Sequence, residues 1–222
     1  MSLRTNLYLF AITLAISSCK TSNQEDTDIG DIPLPFYNSS DFTPLWIEEG
    51  EEGYKEIHTI EGFTFQNQEG ETVTEKNFEN KIYVANFFFT ICPSVCPRMT
   101  ENLKKVQEKF SNDPEVLLLS HTVMPWVDSV EVLKKFAIQR EINPDTWHLV
   151  TGSKEDLYGI GRNSYFADEG FGKSITEEAD FLHTENVVLV DRKRRIRGVY
   201  NGTLPLDMKR LIEDIESLKE NS

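Results

Sequence analysis

Apolar positions along the chain follow two rhythms, one of strands and one of helices. Ile82-Tyr-Val-Ala-Asn-Phe-Phe-Phe89 is a nearly continuous apolar run of strand-forming residues, the pattern of a central strand covered on both faces. Met99, Leu103, Val106 and Phe110 then recur at spacings of 4, 3 and 4, which predicts a helix. Residues 116–120 repeat the buried-strand pattern. Val130, Leu133, Phe136 and Ala137 mark the inner face of a second helix that Asp128 or Ser129 can cap. Residues 147–150 read as a short strand, and Ser153-Lys-Glu-Asp156 resembles a capping box opening a helix through Leu157 and Ile160. Residues 187–190 and 196–200 flank a charged turn as a hairpin, and Met208, Leu211, Ile215 and Leu218 close the chain with an amphipathic helix. Upstream, residues 63–66 and 72–74 flank Glu69-Gly70, which is hairpin chemistry. This order predicts an α/β fold: a mixed central sheet with helices on both faces and an N-terminal β-hairpin extension.

The first residues break from both rhythms. Residues 7–16 are apolar and uncharged, but ten helical residues span only about 15 Å, half of a bilayer core. They predict a signal peptide over residues 1–18. Ile16-Ser17-Ser18-Cys19 places small residues directly before a cysteine and resembles the bacterial lipobox, which implies diacylglycerol on Cys19; the alternative is a general secretory signal with an incidental cysteine. Residues 19–32 are polar and aperiodic, a flexible tether. Residues 33–56 carry Leu34, Phe36, Tyr37, Phe42, Leu45 and Trp46, too apolar for a free linker, and are expected to pack on the domain formed by residues 57–222. Export to the periplasm, on a lipid anchor, is the expected location.

Charge sharpens this division. The 222 residues hold 23 Lys+Arg against 37 Asp+Glu, a net charge of −14, which argues against nucleic acid as a partner. Residues 23–56 alone contribute −9, with Glu48, Glu49, Glu51 and Glu52 as a solvated acidic loop. Arg192-Lys-Arg-Arg195 with Arg197 is basic against this background. It reads as a solvated hairpin tip or as a docking patch for an anionic headgroup or acidic partner. With 39% hydrophobic residues the chain is an ordinary globular protein, and its three cysteines are too few for a disulfide scaffold.

The two remaining cysteines lie in Phe89-Thr-Ile-Cys92-Pro-Ser-Val-Cys96-Pro97, where the first long strand gives way to its helix, as in thioredoxin. Pro97 suits a first helical turn, and the unpaired N–H groups and dipole there favour thiolate, the metal-binding and nucleophilic form of cysteine. Thiolates select Cu(I), with imidazole a compatible third partner for Cu(I) or Cu(II).

The chain resembles the Sco/SenC family of copper-binding, thioredoxin-like proteins that help build the copper site of cytochrome c oxidase. The resemblance rests on the cysteine motif, on Leu118-Leu-Ser120 before a charged helix start, and on Phe181-Leu-His183-Thr184 before the strand at 187–190. It implies copper bound by Cys92, Cys96 and His183. Residues 181–186 lack the proline that thioredoxin-like reductases place against their disulfide; a histidine stands in that neighbourhood instead. Where the family often reads Val-Asp-Pro, this chain has Val123-Met124-Pro125. Met124 is then an apolar lid or a soft contact to Cu(I). His121 can approach the site, but packing or a backbone hydrogen bond is the expectation; His58 and His148 receive no role. Asp168, Glu169, Glu177, Glu178 and Asp180 lead towards His183 as a solvated loop or an acidic rim.

Three functions follow. The first is a membrane-tethered monomeric copper metallochaperone, handing copper to a cytochrome c oxidase copper-site subunit or to another copper or thiol protein. The second is a thiol-disulfide oxidoreductase in which Cys92 attacks a partner's disulfide and Cys96 resolves the intermediate. An inert module with a structural disulfide ranks last.

Overall fold

The structure, a computed structural model, describes residues 33–167 and 184–220. In chain order it contains β1 (Phe36–Tyr37), β2 (Pro44–Leu45), β3 (Thr64–Gln66), β4 (Thr72–Thr74), β5 (Ile82–Phe88), α1 (Val95–Lys109), β6 (Val116–Thr122), α2 (Val130–Gln139), β7 (Trp147–Val150), α3 (Lys154–Asn163), β8 (Asn186–Val190), β9 (Ile196–Asn201) and α4 (Pro205–Glu220).

Five strands form one mixed sheet in the order β7-β6-β5-β8-β9. β5, β6 and β7 run parallel, while β8 is antiparallel to both β5 and β9. All seven residues of β5 are buried, because alternate side chains enter two separate cores. Ile82, Val84 and Phe88 join Met99 and Leu103 of α1, Leu133 of α2 and Leu211 of α4 on one face. Tyr83, Ala85 and Phe87 join Leu157 and Ile160 of α3 and the aromatic residues Phe63, Phe65 and Phe78 on the other. Helices therefore cover both faces, as the strand periodicity requires.

The element ends differ from the pattern for local reasons. β6 continues past Ser120 through His121 and Thr122, since its pairing with Phe87 and Phe88 of β5 continues even where the apolar run stops. Ser129 caps α2 by accepting from the Val132 N–H, and Ser153 caps α3 by accepting from Asp156. Asp128, the alternative cap, is fully buried and turned elsewhere. In the β3–β4 hairpin Gly70 sits at φ 78°, a left-handed turn conformation that costs glycine little.

The basic cluster is neither a solvated tip nor a free docking patch. Asp191, at the end of β8, accepts from the backbone of Lys193 and Arg195 and from the side chains of Arg195 and Arg197, closing the β8–β9 turn around a buried carboxylate. Arg197 also donates to the carbonyls of Leu34 and Pro35 and lies 4.1 Å from the centre of the Phe36 ring, with Arg195 at 4.6 Å. Lys193 pairs with Glu49 and Arg192 with Glu115. Most of these cations are taken up inside the chain, two of them, Arg195 and Arg197, by the segment that forms the short β1–β2 hairpin.

Candidate functional site

The carboxyl ends of β5, β6, β7 and β9 point to the same end of the sheet, together with the amino end of β8. Loops following parallel strands gather their side chains at such an end. Cys92 lies in the β5–α1 loop and Cys96 in the first turn of α1. Both are free thiols, with only 7% and 5% of their surface exposed, packed beside Met99 and Phe88 in the core shared by α1, α2 and α4.

The start of α1 explains why the two thiols differ. Ser94 holds the N-cap position but makes no side-chain cap bond, so the first N–H groups of the helix need another acceptor. The Cys92 sulfur supplies it, accepting from the Cys96 N–H at 3.3 Å. Burial opposes ionisation of Cys92, but the N–H groups of Cys96, Ser94 and Val95 and the Cys96 thiol outweigh it and hold its pKa below the ordinary cysteine value. Cys96 has only the backbone of Phe89 and its own to set against burial. Burial pushes its pKa up to about 12, and the Cys92 side chain adds to this against the Phe89 backbone. The helix terminus thus activates Cys92, four residues before the cysteine that stands in the helix itself.

Beneath the thiols runs a buried polar line. Trp147 donates its indole N–H to Ser120, Ser120 donates to Asn86, and the Asn86 amide reaches the Met99 sulfur at 3.8 Å. Ser120 of the family-like Leu118-Leu-Ser120 thus serves the sheet and the underside of α1.

The remaining sequence candidates separate. His121 points to the opposite face of the sheet from the cysteines, stacked at 4.9 Å on Phe87 and ringed by Phe63, Phe65 and Tyr165. It is fully buried, which is the packing role and excludes approach to the thiols. Met124 is half-buried and packs against this same aromatic core, the apolar reading. His58 meets the Ser164 carbonyl. Cys19, His183 and the acidic positions Asp168, Glu169, Glu177, Glu178 and Asp180 lie outside the described residues. Among the described residues, no cluster of three or more His, Cys, Asp or Glu side chains has metal-site geometry. Two soft thiols, one biased towards thiolate, are a donor pair of the kind that suits copper.

The sequence missed one participant. Asp128, legible only as a possible helix cap, turns its carboxylate to Thr90, two residues before Cys92. No local pattern signals a contact 38 residues apart.

Comparison with known proteins agrees with this arrangement. The chain is 30% identical over 162 residues to a SCO1 protein homolog of Bacillus subtilis, covering 72% of this chain and 82% of that protein. A SCO1/SenC family lipoprotein from Bacillus anthracis superposes with a TM-score of 0.64 at 29% identity, covering 73% of this chain and 96% of the other. BsSco, described as a member of the Sco family of cytochrome c oxidase assembly proteins with a disulfide switch, gives 0.61 at 27% identity over 75% and 96%. Arabidopsis thaliana ScoI, solved with copper bound, shares the fold at a TM-score of 0.56 and 24% identity over 72% and 98%. The family model for SCO1/SenC matches residues 51–220. On that match, and on a thioredoxin-like sheet with a Cys92–Cys96 pair at the head of its first long helix, the chain belongs to the SCO1/SenC family.

Proposed function

We propose that this protein is a membrane-tethered copper metallochaperone for assembly of the copper site of a cytochrome c oxidase. Copper is its cargo, held by Cys92, Cys96 and His183, and Cys19 carries the lipid anchor. The observation that carries the reading is the free, buried thiol pair at the start of α1, with Cys92 biased towards thiolate. The copper-bound and oxidase-assembly relatives support it at the level of the family. When copper is present, the thiolates supply soft donors and the histidine an imidazole. The chain's own contribution is to keep the thiols together, reduced and shielded from solvent.

Titrating the reduced full-length protein in detergent with Cu(II) is expected to saturate near about one equivalent, with thiolate-to-copper absorption. His183→Ala should weaken retention against a chelator by at least about tenfold. Unchanged affinity in that variant removes His183 from the ligand set.

The asymmetry of the thiols favours a second reading, a thiol-disulfide oxidoreductase with Cys92 as attacking and Cys96 as resolving thiol. In that role the partner's disulfide becomes two thiols while Cys92 and Cys96 become a disulfide, and turnover, with an added thiol reductant restoring the pair, survives His183→Ala but not Cys92→Ser.

A further inference from the structure

Asp128 belongs to no motif assigned above, yet it is a carboxylate with no exposed surface beside the thiol loop. A tight turn places it there: the N–H groups of Val127 and Asp128 both bond to the Met124 carbonyl, folding the β6–α2 loop back over the end of β5. Its two oxygens then receive the Thr90 N–H at 3.4 and 3.2 Å, the Thr90 hydroxyl at 2.5 Å and the Thr122 hydroxyl at 2.5 Å. Thr122 in turn accepts from the Met124 N–H. A buried carboxylate is tolerated only when its lone pairs are filled in this way. Filling them here ties the β5–α1 loop to the β6–α2 loop.

The tie falls just before the reactive segment. Thr90 is followed by Ile91, 61% exposed, and by Cys92, whose N–H bonds back to the Phe89 carbonyl at 3.3 Å. Only one residue separates the clamped backbone from the sulfur that must meet the Cys96 N–H. We propose that Asp128 is a positioning residue of the thiol pair, holding Thr90 so that Cys92 stays at the head of α1 in its reduced arrangement. It touches neither the sulfurs nor the cargo. The proposal rests on reading Cys92 and Cys96 as the working thiols.

The test equilibrates the full-length protein with glutathione, in which glutathione disulfide oxidises the pair to one Cys92–Cys96 disulfide and is itself reduced to two glutathione thiols. Asp128→Ala removes every acceptor, Asp128→Asn keeps one oxygen for the Thr90 N–H, and Thr90→Val deletes only the hydroxyl. The equilibrium is expected to move towards the disulfide by about tenfold in Asp128→Ala, the scale of one lost hydrogen bond to a charged group. Asp128→Asn and Thr90→Val should give smaller shifts in the same direction, and these two carry the test if the alanine variant does not fold. A melting temperature lowered by the substitutions without a shift in the glutathione equilibrium overturns the proposal, since that is a structural role alone. A wild-type pair that neither exchanges with glutathione nor binds copper overturns instead the reading of the thiols on which it rests.

Discussion

Cys92 and Cys96 are the same residue type four positions apart, yet their surroundings drive them in opposite directions. Cys92 is the acceptor for a helix start that its N-cap serine leaves open, whereas at Cys96 burial outweighs the backbone donors of Phe89 and of Cys96 itself. At pH 7, iodoacetamide followed by peptide mass analysis should modify Cys92 at least about tenfold faster than Cys96 in the reduced, copper-free protein. Equal rates would contradict the asymmetry. His121 makes the second prediction at this scale. Among the described residues, neither of its ring nitrogens has a partner at full hydrogen-bond geometry, the Asn86 backbone being a weak one. Burial lowers its pKa from 6.5 to about 3, against a weaker opposing effect of the Asn86 backbone. The folded state therefore holds this ring neutral where the unfolded chain protonates it. The stability it permits is complete above pH 6.5 and declines as pH falls towards 3, with a slope of up to about 1.4 kcal/mol per pH unit. His121→Phe should flatten that part of the urea-stability profile. It should also raise stability at neutral pH by about 1 kcal/mol or more, since two unsatisfied polar atoms leave an aromatic core. A profile of unchanged slope would place the acid sensitivity elsewhere.

At the scale of elements, the site depends on how closely the β9–α4 turn approaches α1. Gly202 donates its N–H to the Glu185 carbonyl and accepts from the Asn102 amide, fixing the turn against both β8 and α1. A β-carbon there would stand 2.7 Å from Met99 Cγ and 2.7 Å from Val187 Cγ2, closer than packed carbons allow. Gly202→Ala is expected to cost about 1–3 kcal/mol in denaturant unfolding, and to disturb α1 one turn beyond Cys96. A smaller loss would mean that the turn lifts away from the helix freely. The elements themselves were largely readable from periodicity: the α1 spacing and the buried runs of β5 and β7 are sequence features. The extension of β6 to Thr122 and the choice of Ser129 over Asp128 as cap were not, because both depend on what lies across the sheet.

For the whole molecule, the arginines of the β8–β9 turn hold the N-terminal segment to the domain. Arg197 combines two backbone carbonyls, a ring face and a buried carboxylate, and its side chain is only 12% exposed, so salt screens these contacts weakly. Arg197→Ala should release residues 33–45, seen as faster hydrogen exchange at the β1–β2 hairpin, and lower stability by about 2 kcal/mol, since Asp191 loses one charged donor and keeps Arg195. Protection unchanged in the variant would assign the hold to the packing of Phe36 against Arg195 and Tyr54. By itself the sequence determined the alternation of buried strands and amphipathic helices, the excess of acid near the N-terminus and the motif that pairs Cys92 with Cys96, since each is written in neighbouring residues. Tertiary structure decided which thiol is activated, that His121 faces away from the cysteines, that the basic cluster binds its own chain, and that Asp128 leaves the helix cap to clamp Thr90. Those outcomes rest on burial and on hydrogen-bond partners brought together from distant positions, which one-dimensional spacing does not encode.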